Sequence, residues 1–171
     1  MRKITVQQLT RAAIVGALYA ALTLLASAFG IAYGPIQFRL SEALCVLPFL
    51  FPETAWGLFA GCWVANLISP YGPLDMVVGS LATLIAALWT AKCRRKALAP
   101  LPPVVCNAVI VGAEIALLQS GVGPAFWPAF GLNALTVGLG ELIACGLLGG
   151  ILLVMLPRNG FLRELIPPER R

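Results

Sequence analysis

The sequence predicts an all-α integral membrane protein: a six-helix bundle in a single domain, residues 1–171, with both termini in the cytoplasm (N-in/C-in). Three observations carry this. Hydrophobic residues make up 60% of the chain and charged residues only 11%, with a mean hydropathy of +0.91. A soluble domain carries roughly 25% charged residues, so this chain lacks the polar groups to cover a globular surface. The apolar residues fall into six runs with short connectors rich in Gly and Pro, and the basic residues gather on one side of those runs.

A helix rises about 1.5 Å per residue and crosses about 30 Å of hydrocarbon, so about 20 residues suffice for a span. The first run, about 11–29, follows a basic lead and resembles a signal peptide, with "ASAFG" imitating a cleavage site. It is longer than a usual signal core, and the topology needs it, so it is expected to stay as a helix. The second run, 39–51, is short. It is expected to be tilted, buried among its neighbours, or extended back through "GPIQF". The third, 54–69, begins at Pro52-Glu53, where proline suits a first helical turn and a carboxylate suits the positive end of the dipole. The fourth, 74–91, and fifth, 102–119, have ordinary spanning lengths, while the sixth, 129–155, is long enough to tilt or to run on into the cytoplasm.

Six crossings put eleven of the twelve Lys and Arg residues on one face: both termini and the "KCRRK" loop. By the positive-inside rule that face is cytoplasmic. The net charge of +5 is therefore a topological signal rather than a nucleic-acid footprint. Arg39 is the exception, on the outer side.

The five cysteines show no paired spacing and the chain has no histidine, so neither a zinc site nor a disulfide framework is indicated. They read as small apolar fillers. There is no Walker lysine motif, no Gly-rich phosphate loop and no Ser-His-Asp set. An enzyme is not expected, nor is any cofactor or metal.

Charge inside a span costs at least about 2.5–3.5 kcal/mol at the centre, so it normally faces protein or water. Seven polar residues are expected near one depth in the outer half, lining a pocket open to the outside: Arg39, Glu42, Asn66, Asp75, Glu114, Asn133 and Glu141. Loops bearing Tyr33, Tyr71, Phe126 and Trp127 would lid such a pocket. Simpler roles stand beside the ligand-binding one. Arg39 and Glu42, at i and i+3, suit a mutual ion pair. Asp75 suits a helix cap, Asn66 and Asn133 suit interhelical hydrogen bonds, and the aromatics suit interface anchors. Glu114 and Glu141 lie well inside spans without adjacent basic partners.

The first helix carries small residues every four positions, as Ala12, Gly16 and Ala20 and as Ala13, Ala17 and Ala21. Each set is a flat ridge where another backbone approaches closely. It serves either packing within the bundle or docking of another membrane protein.

"FRLSEALCVLPFLFPE", "ANLISPYGPLDMVVGSLATLIAA" and "LPPVVCNAVIVG", in that order, resemble the QueT family over nearly the whole chain, most weakly in the last fifteen residues. The resemblance implies a substrate-binding S component of an energy-coupling factor (ECF) importer in the cell membrane. Such a subunit captures a 7-deazaguanine queuosine precursor, or queuine, outside. It associates with a T component and two ATPases, then topples to release the ligand inside. It also implies an AxxxA docking motif on the first helix, which Ala13, Ala17 and Ala21 match. A guanine-like edge offers two adjacent N–H donors to a carboxylate, its carbonyl needs a donor such as Arg or Asn, and an aminomethyl arm would suit a second carboxylate. The alternatives are an autonomous proton-coupled secondary transporter using Glu114 or Glu141, and a purely structural membrane subunit. No inverted repeat supports the first.

Overall fold

The computed structural model describes residues 5–30 and 39–170, and among them every regular element is helical. Seven helical stretches follow one another: α1 (Val6–Ala28), α2 (Leu40–Phe49), α3 (Thr54–Ile68), α4 (Pro73–Lys92), α5 (101–120), α6 (Phe126–Arg158) and a short α7 (Gly160–Leu165). The first six coincide with the six apolar runs, and α7 is an addition to the expected count. Four stretches are long and apolar enough to cross a membrane: α1, α4, the segment Lys96–Ser120 that contains α5, and α6. The shorter α2 and α3 do not meet that length. Tyr33, the "GPIQF" extension, Arg2, Lys3 and Arg171 lie outside the described residues.

Local sequence sets the ends. α1 starts at a capping box: Gln8 N–H donates to Thr5 Oγ1 at 3.3 Å, and Thr5 N–H donates to Gln8 Oε1 at 3.0 Å. α4 starts with Pro73 in its first turn, after Gly72 at φ +72°. That left-handed conformation is one a side chain would resist, and it turns the chain sharply between α3 and α4. Asp75 is therefore not the cap of α4. It sits two residues inside the helix and is fully buried. Glu53 makes no capping hydrogen bond for α3 either; it pairs with Arg11 at 2.9 Å.

α2 is the axis of the molecule. Ser41 to Phe49 are all buried, so the short run is a central element wrapped by its neighbours. It is wound as a 3-10 helix throughout. A rise of about 2.0 Å per residue takes ten such residues about 20 Å, against about 15 Å in an α-helix. The tighter winding recovers part of the missing length, and it accommodates Pro48 inside the helix. Around α2 lies the main core, including Tyr19, Val46, Leu50, Leu58 and Leu153.

α1 and α3 pack backbone to backbone. A Cβ added to Gly57 would lie 1.9 Å from the Ala12 carbonyl oxygen, and one added to Gly16 would lie 2.5 Å from that of Gly57. Ala12, Gly16 and Ala20 are buried in this seam, while Ala13, Ala17 and Ala21 are exposed beside it. The two ridges of α1 thus separate: the first closes the bundle and the second faces away from it.

At the basic end, Arg11 clasps three segments of the chain. Besides Glu53, its guanidinium donates to the Leu165 carbonyl at 2.7 Å and lies 5.0 Å from the Phe51 ring centre. Arg170 donates to the Phe49 carbonyl at 2.7 Å, and Ile166 is buried against the core. The C-terminal segment is thereby tied across the ends of α1 and α2.

Candidate functional site

The buried charged side chains among the described residues are Arg39, Glu42, Asp75, Glu114 and Glu141. All five are candidates from the sequence, and the fold brings them into one half of the bundle, away from the "KCRRK" loop. They are divided between an inner polar group, an ion pair and an outer vestibule.

The inner group is held by three helices that depart from ideal α geometry. α2 is 3-10, α5 opens into a π-helical stretch at Asn107–Val111, and α6 does the same at Leu142–Gly149, immediately after Glu141. Such distortions recur at functional sites because they re-aim side chains that a regular helix would stack. Here they direct Glu42, Asn107 and Glu141 toward one another. Glu42 accepts from the Tyr19 hydroxyl and from the Cys45 thiol at 3.0 Å. Glu141 accepts from Asn107 Nδ2 at 2.7 Å and from the Cys145 thiol at 3.3 Å. Cys145 also lies 3.0 Å from the Glu42 backbone carbonyl. A small cavity of about 10 Å³ sits among Arg39, Glu42, Thr83, Asn107 and Glu141. Asn107 Oδ1 has no hydrogen-bond partner among the described residues.

Cys45 and Cys145 are therefore more than apolar fillers, since their thiols satisfy carboxylates that would otherwise be desolvated. Glu42, Glu141 and Cys145 bring two oxygens and a sulfur within 4.8 Å of one another, a spacing that would suit a metal ion. Sequence spacing hides this cluster because its members come from two helices about a hundred residues apart.

Arg39 and Asp75 form the ion pair, Nη2 to Oδ2 at 3.6 Å, with both side chains nearly inaccessible. Asp75 also accepts from the Ser69 hydroxyl, and Asn66 Nδ2 donates to the Asp75 carbonyl at 2.9 Å and to Oδ1 at 3.4 Å. Ser69 Oγ accepts from Tyr71 N–H at 3.2 Å, which ties the α3–α4 turn to the same carboxylate. Gly79 makes room for this network: a Cβ there would lie 2.3 Å from Asp75 Oδ1. Tyr71 packs against the small core cluster formed by Ala82, Val111, Ile115 and Val137.

The vestibule is a cavity of about 500 Å³ between α4, α5 and the start of α6. Leu74, Val78, Ile110, Leu117, Phe126 and Trp127 make it mostly apolar, and Glu114 is the charged residue in its lining. Both Glu114 oxygens are without a hydrogen-bond partner among the described residues, although the residue is only 4% exposed. Trp127 is 70% exposed and meets Phe126 edge-on with centroids 5.3 Å apart.

Asn133 stands apart from these groups. Its Nδ2 donates to Gln119 Oε1 and to the Ala129 carbonyl, both at 2.8 Å, joining α5 to α6. Sequence reading passed over Tyr19, Ser69, Thr83 and Asn107. A signal for Asn107 was present: it lies seven residues before Glu114, two turns along the same face of a strongly apolar helix.

The family profile described as "QueT transporter" matches residues 9–158. The queuosine precursor transporter QueT of Lactococcus lactis subsp. cremoris (strain MG1363) is 38% identical over 85 residues, covering 50% of this chain and 50% of that protein. The chain thus spans about half the length of the curated relative it matches. No solved structure matches. The profile runs from the first turns of α1 to the last residue of α6, through every helix that carries a buried charge, and on that ground the chain belongs to the QueT transporter family.

Proposed function

We propose that the protein is the substrate-capture subunit (S component) of an ATP-driven ECF importer in the cell membrane, binding a 7-deazaguanine queuosine precursor or queuine from outside. The observation that supports this best is the gathering of five buried charges beneath an aromatic-rimmed vestibule in an otherwise apolar bundle. The relative named for queuosine precursors points to the same ligand class. A cavity of this size and apolar character is typical of small-molecule sites. The bicyclic ring lies in the vestibule against Phe126 and Trp127, with Tyr71 nearby. Its polar edge reaches inward, where Glu42, Asn107 and Glu141 offer acceptors and Arg39 a donor for the base carbonyl. Those inner groups hydrogen-bond one another at present, so the base replaces their bonds like for like rather than stripping them. Asn66 and Asp75 orient Arg39, and Asn133 fixes the α5–α6 pair that forms the outer wall.

In this reading six crossings, α1 to α6, put both termini and the 92–96 loop in the cytoplasm. Trp127→Cys is expected to react with an impermeant thiol reagent from outside in intact cells, and a tag at 92–96 only after permeabilisation. External reaction of the 92–96 tag would reverse the orientation. The chain supplies capture alone. A T component and two ATPases, separate proteins, supply docking and ATP hydrolysis.

The direct test is binding of a 7-deazaguanine to the purified protein by calorimetry or thermal shift. Glu42→Gln and Glu141→Gln are expected to weaken it roughly ten- to a hundredfold, because a charged acceptor in a hydrogen bond contributes about 1.5–3 kcal/mol. Glu53→Gln, which touches only the Arg11 clasp at the opposite end, is expected to bind as the parent does. Absence of binding by the parent protein, or equal binding by all three variants, would sink the assignment.

A further inference from the structure

We propose that Glu114 is an ammonium-recognition residue, so that the vestibule selects 7-deazaguanines carrying a primary ammonium arm over those with a neutral substituent. This rests on the capture function proposed above and concerns which member of the ligand class is taken.

Four buried carboxylates, those of Glu42, Asp75, Glu114 and Glu141, share one half of the bundle with a single buried cation, Arg39, among the described residues. Three of the four are already satisfied. Asp75 has Arg39, Ser69 and Asn66, Glu42 has Tyr19 and Cys45, and Glu141 has Asn107 and Cys145. Glu114 is different: it is only 4% exposed, its two oxygens have no hydrogen-bond donor among the described residues, and it lines the vestibule of about 500 Å³. A carboxylate removed from water without a donor is strongly unfavourable. A ligand that brings its own N–H donors and a positive charge removes that cost on binding, whereas a nitrile or other neutral substituent leaves it in place. A primary ammonium offers three donors, enough for both oxygens at once. The remaining lining is apolar, with Phe126 and Trp127 at the mouth, which suits the flat ring and raises the strength of the single charged contact. The arm and the ring edge then point to different carboxylates. Glu114 reads the substituent, and the Asn107–Glu141 group, with Asn107 seven residues back along α5, reads the base.

The test compares two synthetic bases, 7-aminomethyl-7-deazaguanine and its neutral 7-cyano analogue. Both are titrated into the protein in bilayers of phosphatidylcholine, whose quaternary head group donates no hydrogen bond and so does not compete. The parent is expected to prefer the amine about tenfold or more, and Glu114→Gln to bring the ratio of affinities close to one. Should the Gln variant not fold, Glu114→Asp keeps the charge and is expected to retain a preference for the amine. A parent that binds both bases equally, or a Gln or Asp variant that shows the opposite of these ratios, overturns the role of Glu114 while leaving base capture standing. Failure of the parent to bind either base overturns both this inference and the capture function.

Discussion

Arg39→Leu is expected to lower the thermal midpoint of the purified protein sharply, and adding Asp75→Asn to the same chain is expected to restore part of that loss. Arg39 is the buried cation of a site that holds four buried carboxylates among the described residues. Removing it leaves Asp75 facing low-dielectric surroundings with, among the described residues, the Ser69 and Asn66 donors alone. Breaking a buried pair from one side typically costs about 3–5 kcal/mol, most of it the uncompensated charge that remains. Neutralising Asp75 removes that charge, while asparagine can still accept from Ser69. The double substitution should therefore be less damaging than the sum of the two single ones. A four-member cycle of parent, two single variants and the double variant measures this coupling in denaturant or heat. Directly interacting residues usually show a non-additive term of about 0.5–3 kcal/mol. Strictly additive losses would mean that the 3.6 Å contact holds no energy and that Arg39 answers to the other carboxylates instead.

The same pair marks what the sequence could and could not disclose. The six runs and the five buried charges were legible because a membrane interior penalises polarity, so each charge in an apolar run is conspicuous. Partnership was not legible. Arg39 and Glu42 stand one turn apart and invite a mutual pairing, yet Asp75 and Tyr19 reach them from other helices. Those contacts depend on how α1, α4 and α2 approach one another, which spacing along the chain does not encode. Asp75 after Gly-Pro-Leu likewise looks like a cap, but Gly72 at positive φ turns the chain so that the carboxylate enters the bundle. The 3-10 winding of α2 and the π stretches of α5 and α6 are also silent in composition, since hydropathy has no term for helical pitch. Depth of burial was disclosed; direction was not.

The two ridges of α1 give the other large expected effect, since they differ by one residue in register and by everything in surroundings. Gly16 belongs to the buried ridge, and even a methyl group there would lie 2.5 Å from the Gly57 carbonyl oxygen. Gly16→Leu must force α1 and α3 apart, so it is expected to lower folded yield and ligand binding together. Ala17 is exposed on the neighbouring face, in line with Ala13 and Ala21 and beside Ala60 and Val64 of α3. A leucine there would extend over the shallow groove between α1 and α3 rather than into the Gly16–Gly57 contact. In lipid no hydrophobic drive brings helices together, so docking of a T component on such a face would depend on close backbone approach. A leucine holds the partner off by a side chain's width, and dispersion contacts fade over less than that distance. Ala17→Leu is therefore expected to bind a 7-deazaguanine as the parent does while losing uptake in cells and co-purification with the T component and ATPases. Leu18→Ala, also exposed on α1 but about 100° around the helix from Ala17, is expected to keep all three. If Ala17→Leu still supports uptake at the parental rate, the exposed ridge faces only lipid and the docking surface lies elsewhere on the bundle.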